Sequence, residues 1–265
     1  MVYPKSKTVQ DLSRILASES EDYDRALQRI STRPKGIRIG SVLRQVAAIH
    51  IHRGLLAYFA DSDAARMKQE LYTATKLVTL ALDEDGGPMQ DNPFDYFYAL
   101  LSCSREAILE LASKARHLDP TVPPHEDPGF YTELTRLLIL GDDAGALELA
   151  AELKRPGKRD NTAFCKLLIS RDLDGLRNYI AQYEIGAPAE GYLEAEWVPD
   201  YSATFLLKLA AFRGLKVEVS GGHLDGGLLD MTPLQCYSLE YDFLRTGLSQ
   251  REKSIIGRLK EFLGW

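Results

Sequence analysis

Apolar residues recur every three or four positions along most of the chain, the spacing that lays a stripe down one face of an α-helix. From 8 to 31 the stripe is Val9, Leu12, Ile15, Leu16, Tyr23, Leu27 and Ile30, and Arg33-Pro34-Lys35-Gly36 breaks it. A second stripe, Ile39, Val42, Leu43, Val46, Ile49, Leu56 and Phe59, predicts a helix over 38–60. Asp61 or Ser62 can cap a third helix, over 63–82, which carries Leu71, Ala74, Leu77, Val78 and Ala81 inward. The run Asp83-Glu84-Asp85-Gly86-Gly87-Pro88 stops it. Asn92-Pro93 then opens a fourth helix, with proline at the first position, where a missing N–H costs nothing. That helix is predicted to run to about His117.

Residues 119–128 hold Pro120, Pro123, Pro124 and Pro128 and cannot be regular, so a subdomain connection is expected there. A weak repeat follows. Arg136-Leu137-Leu138-Ile139, Asp142 and Gly145 return thirty residues later as Lys166-Leu167-Leu168-Ile169, Asp172 and Gly175. Each copy predicts a helix, an acid-capped turn and a second helix: 128–140 with 143–154, then 160–170 with 172–184. Tyr201–Arg213 is apolar enough for a central helix, and 216–219 alternates like a short strand. Thr232-Pro233 starts a helix through Leu244, and Ser249 with Glu252 forms a capping box for the last one. The expected fold is all-α, about ten helices packed as antiparallel helical hairpins, with at most one short β segment near 216–219. It divides into an N-terminal helical subdomain (1–118), a Pro-rich connection (119–128) and an acidic C-terminal subdomain (129–265) holding the repeat. Together they are expected to form one compact unit.

Charge changes this picture more than bulk composition does. The content, 45% hydrophobic and 26% charged, is that of an ordinary globular domain. Residues 1–120 hold 16 bases and 16 acids, so the whole net charge of −6 falls on 121–265. That balance argues against nucleic acid as a partner, since phosphate contact needs clustered Lys and Arg. No apolar run approaches membrane-spanning length, and the first residues carry no apolar leader segment, so a cytoplasmic protein without membrane contact is expected. Cys103, Cys165 and Cys236 lie far apart without a CxxC pair, which fits a reducing compartment.

Two stretches lack any basic residue. Between Lys76 and Arg105 stand Asp83, Glu84, Asp85, Asp91 and Asp95, mixed with Phe94, Tyr96, Phe97 and Tyr98. Between Arg177 and Lys208 stand Glu184, Glu190, Glu194, Glu196 and Asp200, mixed with Tyr192, Trp197 and Tyr201. Unopposed carboxylates steer a basic protein partner, and aromatic rings supply buried anchors. The competing reading is a solvated loop beside helices whose aromatics face the core. The partner-binding candidates are therefore Asp83, Glu84, Asp85, Asp91, Asp95, Glu190, Glu194, Glu196, Trp197 and Asp200. No catalytic set, metal site or cofactor is expected. His50 and His52 stand two apart on a helix and point in nearly opposite directions. His223-Leu224-Asp225 in a glycine-rich turn fits a turn-stabilising hydrogen bond better than catalysis. Ser220-Gly221-Gly222 lacks the ending of a phosphate loop, and Cys103 fits a buried structural thiol.

Two segments carry a resemblance. One is Arg53-Gly54-Leu55-Leu56-Ala57-Tyr58-Phe59, then Asp63-Ala64-Ala65 and Tyr72-Thr73-Ala74-Thr75-Lys76-Leu77. The other runs from Ala203 to Leu215 and continues with Pro233-Leu234 and Tyr237. In this order they resemble the immunity protein 49 family of bacterial polymorphic toxin systems. The resemblance implies a helical protein without catalysis that binds a cognate toxin and blocks its active site. An acidic, aromatic surface would suit a basic nuclease toxin. The alternative expectation is a helical-repeat adaptor that binds a peptide or protein partner in a groove between hairpins.

Overall fold

The computed structural model describes residues 5–85, 94–114, 118–119, 121–153, 161–182, 201–219 and 224–246. These residues form twelve α-helices and one 3-10 turn, Pro124–Glu126, and the protein is all-α. The first three helices are α1 (Lys5–Thr32), α2 (Ile39–Asp61) and α3 (Ala64–Asp85). α2 is buried on nearly every side, from Val42 and Leu43 to Leu55 and Phe59, so it lies between α1 and α3 as their shared core. A glycine lets α3 come close. A Cβ at Gly54 would sit 3.2 Å from Glu70 Cβ and 3.3 Å from the Met67 carbonyl oxygen.

α3 outruns the expected stop and keeps Asp83, Glu84 and Asp85 in its last turn. Carboxylates there face the negative end of the helix dipole and need compensation. Two bases from neighbouring elements supply it. Lys114 Nζ donates to Asp83 at 2.7 Å, and Arg33 Nη2 donates to Glu84 at 2.5 Å.

The single helix expected over 92–117 is instead two, α4 (Phe94–Ser102) and α5 (Arg105–Lys114). They meet at Cys103, which is left-handed at φ 59°. The hydroxyls of Ser102 and Ser104 accept from the N–H groups of Ser104 and Ala107, which gives the backbone a local alternative to the helical ladder. The break lets α4 bury all nine of its residues while α5 turns away along α3.

In the proline-rich connection, the buried Asp127 carboxylate accepts from the N–H groups of Asp119 and Gly129, both at 2.7 Å. Four short helices follow: α6 (Phe130–Leu140), α7 (Asp143–Ala151), α8 (Asn161–Ile169) and α9 (Leu173–Gln182). The α6–α7 and α8–α9 turns carry the same hydrogen bonds. Asp142 N and Asp172 N reach back to the carbonyls of Leu137 and Leu167, both at 3.0 Å. Gly141 and Arg171 are left-handed, and Asp142 and Asp172 accept from Gly145 and Gly175 N–H at 3.0 and 2.9 Å.

α10 (Tyr201–Phe212) buries nine of its twelve residues, Lys208 among them. Arg213, just beyond it, donates to the Leu138 carbonyl and to Asp143, fastening the α6–α7 turn. Residues 216–219 form no strand; their backbone serves a side chain instead, Arg177 Nε donating to the Glu218 carbonyl. The helix expected over 232–244 shrinks to α12 (Asp242–Thr246), preceded by the single turn α11 (Gly226–Leu229). Between them the backbone is irregular, because its polar groups bond to side chains of α3 and α10. The helix expected from Ser249 lies outside the described residues.

Replacing Asp142 or Asp172 with Ala removes equivalent caps, so each should cost about 1 kcal/mol of stability. Urea unfolding followed by circular dichroism should show similar losses for the two variants.

Candidate functional site

Segment 224–241 lies across α2, α3 and α10, and side chains from these helices fill its hydrogen bonds. Tyr58 donates to Asp225 at 2.5 Å, and Asp225 also accepts from Gly227 N–H. Burial, then this bond, pushes the Tyr58 hydroxyl above its ordinary pKa. The Gln69 side-chain amide pairs with Ser238 as a strand neighbour would, donating to its carbonyl at 2.8 Å and accepting from its N–H at 3.1 Å. Tyr237 packs its ring on Tyr72, with centroids 4.7 Å apart, and donates to the Ser102 carbonyl at 2.6 Å.

Two lysines enter this layer from below. Lys68 Nζ donates to the Asp230 carboxylate at 2.6 Å and to the Thr232 carbonyl at 2.7 Å. Burial works to raise Asp230, but bonds from Lys68 and Thr232 outweigh it and hold the carboxyl down at about 2. Lys208, 1% exposed, reaches the Asp230 carbonyl at 2.9 Å and the Cys103 sulfur at 3.3 Å. Burial lowers its pKa, opposed by Cys103 and reinforced by the charge of Lys68.

A second chain of groups surrounds His50, which is fully buried. Nδ1 meets Glu70 at 2.6 Å, Nε2 meets the Tyr241 hydroxyl at 2.7 Å, and Tyr241 meets the Tyr23 hydroxyl at 2.6 Å. The four groups form one continuous hydrogen-bonded chain, Tyr23–Tyr241–His50–Glu70, whose donor order follows the protonation of the imidazole. Arg53 covers the Tyr23 ring at 4.3 Å. Burial first, and then the bond with Tyr23, raise the Tyr241 pKa strongly, so this phenol stays protonated at ordinary pH. His50, Glu70 and Glu240 also place ligand atoms within 4.8 Å of one another, a grouping of types that bind transition metals. Both imidazole nitrogens are already engaged, so an ion would have to displace Glu70 or Tyr241.

The sequence-predicted site residues are placed elsewhere. Asp83 and Glu84 share one helix end and are tied to Lys114 and Arg33. Asp85 is the last residue of α3. Asp95 is only 7% exposed and lies 3.5 Å from Arg44, inside the fold. Its position in the first turn of the fully buried α4 leaves its carboxylate little surface to offer a partner. Asp91, Glu190, Glu194, Glu196, Trp197 and Asp200 lie outside the described residues, as does His223. Asp225 and Asp230 act as turn caps. Sequence reasoning passed over Lys68, Lys208 and Tyr241 and weighed His50 only as a metal partner of His52; a lysine inside the apolar run of α10 was the one signal in plain view. No family model, curated protein or solved structure matches the chain.

Lys208 binds fewer protons folded than unfolded over the interval between its lowered pKa and its ordinary 10.5, so its contribution to stability rises with pH there. Lys208→Met should therefore stabilise the protein at pH 7 by about 1 kcal/mol and flatten this limb, read from urea midpoints between pH 7 and 10. Asp230, also lowered on folding, gives the same sign of slope in the acid range. Its stabilisation is complete above the ordinary 3.8 and is lost as pH falls toward about 2, and Asp230→Asn should remove that acid limb.

Proposed function

We propose that this chain is an immunity protein: it binds a cognate bacterial toxin and blocks its active site, with no catalysis of its own. The resemblance of Arg53–Phe59, Tyr72–Leu77 and Ala203–Leu215 supports the family. The surface of the α6–α9 hairpins carries the reading further. Tyr131, Leu140, Leu147 and Leu173 are large apolar residues left exposed there, beside the exposed acids Asp142, Glu148, Asp172 and Asp174. Apolar anchors among carboxylates suit a basic protein partner better than a phosphate polymer. In sequence, α9 leads directly into the second base-free stretch, Glu184 to Asp200, which would extend the same acidic contact. A basic nuclease domain is the toxin chemistry that such a surface would mimic and cover. The matched turns at 141–142 and 171–172 favour a second reading, an adaptor that holds a peptide between its hairpins.

Capture of the tagged chain's partner from its native source, followed by co-expression of that partner in a naive host, separates the two. The immunity reading requires that the captured polypeptide arrest growth alone and that this chain restore it. A harmless partner would favour the adaptor. The triple reversal Glu190→Lys, Glu194→Lys, Glu196→Lys should weaken capture by roughly tenfold or more at low salt. Unchanged protection by this variant would remove the acidic stretch from the contact.

A further inference from the structure

We infer that Cys103 and Lys208 form a modification site: peroxide converts this buried thiol–amine pair into a covalent sulfenamide that joins the α4–α5 corner to α10. The pair is already in contact, with Nζ 3.3 Å from Sγ. One backbone acceptor holds both atoms in place. The Asp230 carbonyl accepts from Cys103 Sγ at 3.2 Å and from Lys208 Nζ at 2.9 Å. Cys103 is 5% exposed and Lys208 1%, so water competes weakly for either group. The other described thiols lack this arrangement. The nearest hydrogen-bond partner of Cys165 is the Ala146 carbonyl at 3.9 Å, and that of Cys236 is the Tyr237 carbonyl at 3.7 Å.

The chemistry balances with one equivalent of peroxide. The Cys103 sulfur attacks a peroxide oxygen, the O–O bond breaks, and the departing hydroxide takes the thiol proton to become water, which leaves a sulfenic acid. Lys208 gives up one ammonium proton to solvent, and the amine so formed attacks sulfur. The S–N bond forms, the S–O bond breaks, and the departing hydroxide takes a proton from nitrogen to leave as a second water. Sulfur is oxidised and peroxide reduced. An amine whose ammonium form is disfavoured by burial supplies the lone pair that the second step needs. A thiol oxidised in contact with that amine is trapped before a second peroxide can carry it to the sulfinic acid. Peroxide gains entry when segment 224–241, which roofs the pair and includes only the short helix α11, opens locally. The bond removes the lysine's charge and replaces a polar contact by a covalent one between elements 105 residues apart.

The test treats the full chain with hydrogen peroxide at neutral pH, blocks free thiols and maps tryptic peptides by mass spectrometry. The expected product joins the peptides of residues 103 and 208, is lighter by the two hydrogens lost, resists cleavage after Lys208 and reverts with a thiol reductant. In Lys208→Arg, oxidation should stop at an oxo-acid of Cys103 without any joined peptide. Recovery of Cys103 from the wild-type chain as a free thiol, as an oxo-acid beside a cleavable Lys208, or in a disulfide would overturn the proposal.

Discussion

Polar groups buried on the inner faces of α2, α3 and α10 must find partners away from water, and segment 224–241 supplies them for His50, Lys68 and Lys208. An unsatisfied buried donor costs on the order of 1–3 kcal/mol, more if charged. Lys208 cannot reach solvent from the middle of a largely buried helix, and Lys68 is nearly as enclosed. Their ammonium groups take the carbonyls of Asp230 and Thr232 and the carboxylate of Asp230. A regular helix over 232–244 would spend the Thr232 carbonyl on its own ladder. The irregular backbone follows from that competition.

The same requirement places the residues that carry the family resemblance. Tyr58, Tyr72, Lys208 and Tyr237 are contacts of this layer, and Gly54 brings α3 close enough to α2 for His50 to meet Glu70. Such residues specify an architecture, because each is tied to a partner by size or by a hydrogen bond. The hairpins obey a looser constraint: Leu140, Leu147 and Leu173 stay exposed, while Asp142 and Asp172 cap their turns.

Much of the scaffold was legible from spacing alone. The stripes of α1, α2 and α10 and the acid-capped turns at Asp142 and Asp172 are local patterns, and local patterns survive in sequence. The corner at Cys103 was not legible, since Ser-Cys-Ser within an apolar stripe reads as helix until α4 has to bury every side chain. Charge counting identified Asp83 and Glu84 as lacking nearby bases, yet Arg33 reaches Glu84 from the α1–α2 connection and Lys114 reaches Asp83 from α5. Periodicity shows which face a residue occupies and is silent about what another element brings to that face. The network at His50 was hidden for this reason, its partner Tyr241 lying 191 residues away.

That separation has a kinetic consequence. The bonds from Tyr58, Lys68 and His50 to segment 224–241 each close a loop of 162 to 191 residues. Closing so long a loop has an entropic cost that the short loops of α1 to α3 avoid. High-separation contacts slow folding, so this segment is expected to dock after the helices it covers have already collapsed. Until it docks, two lysines and a histidine stand open to water in a half-built core, and its arrival turns a hydrated intermediate into a dry one.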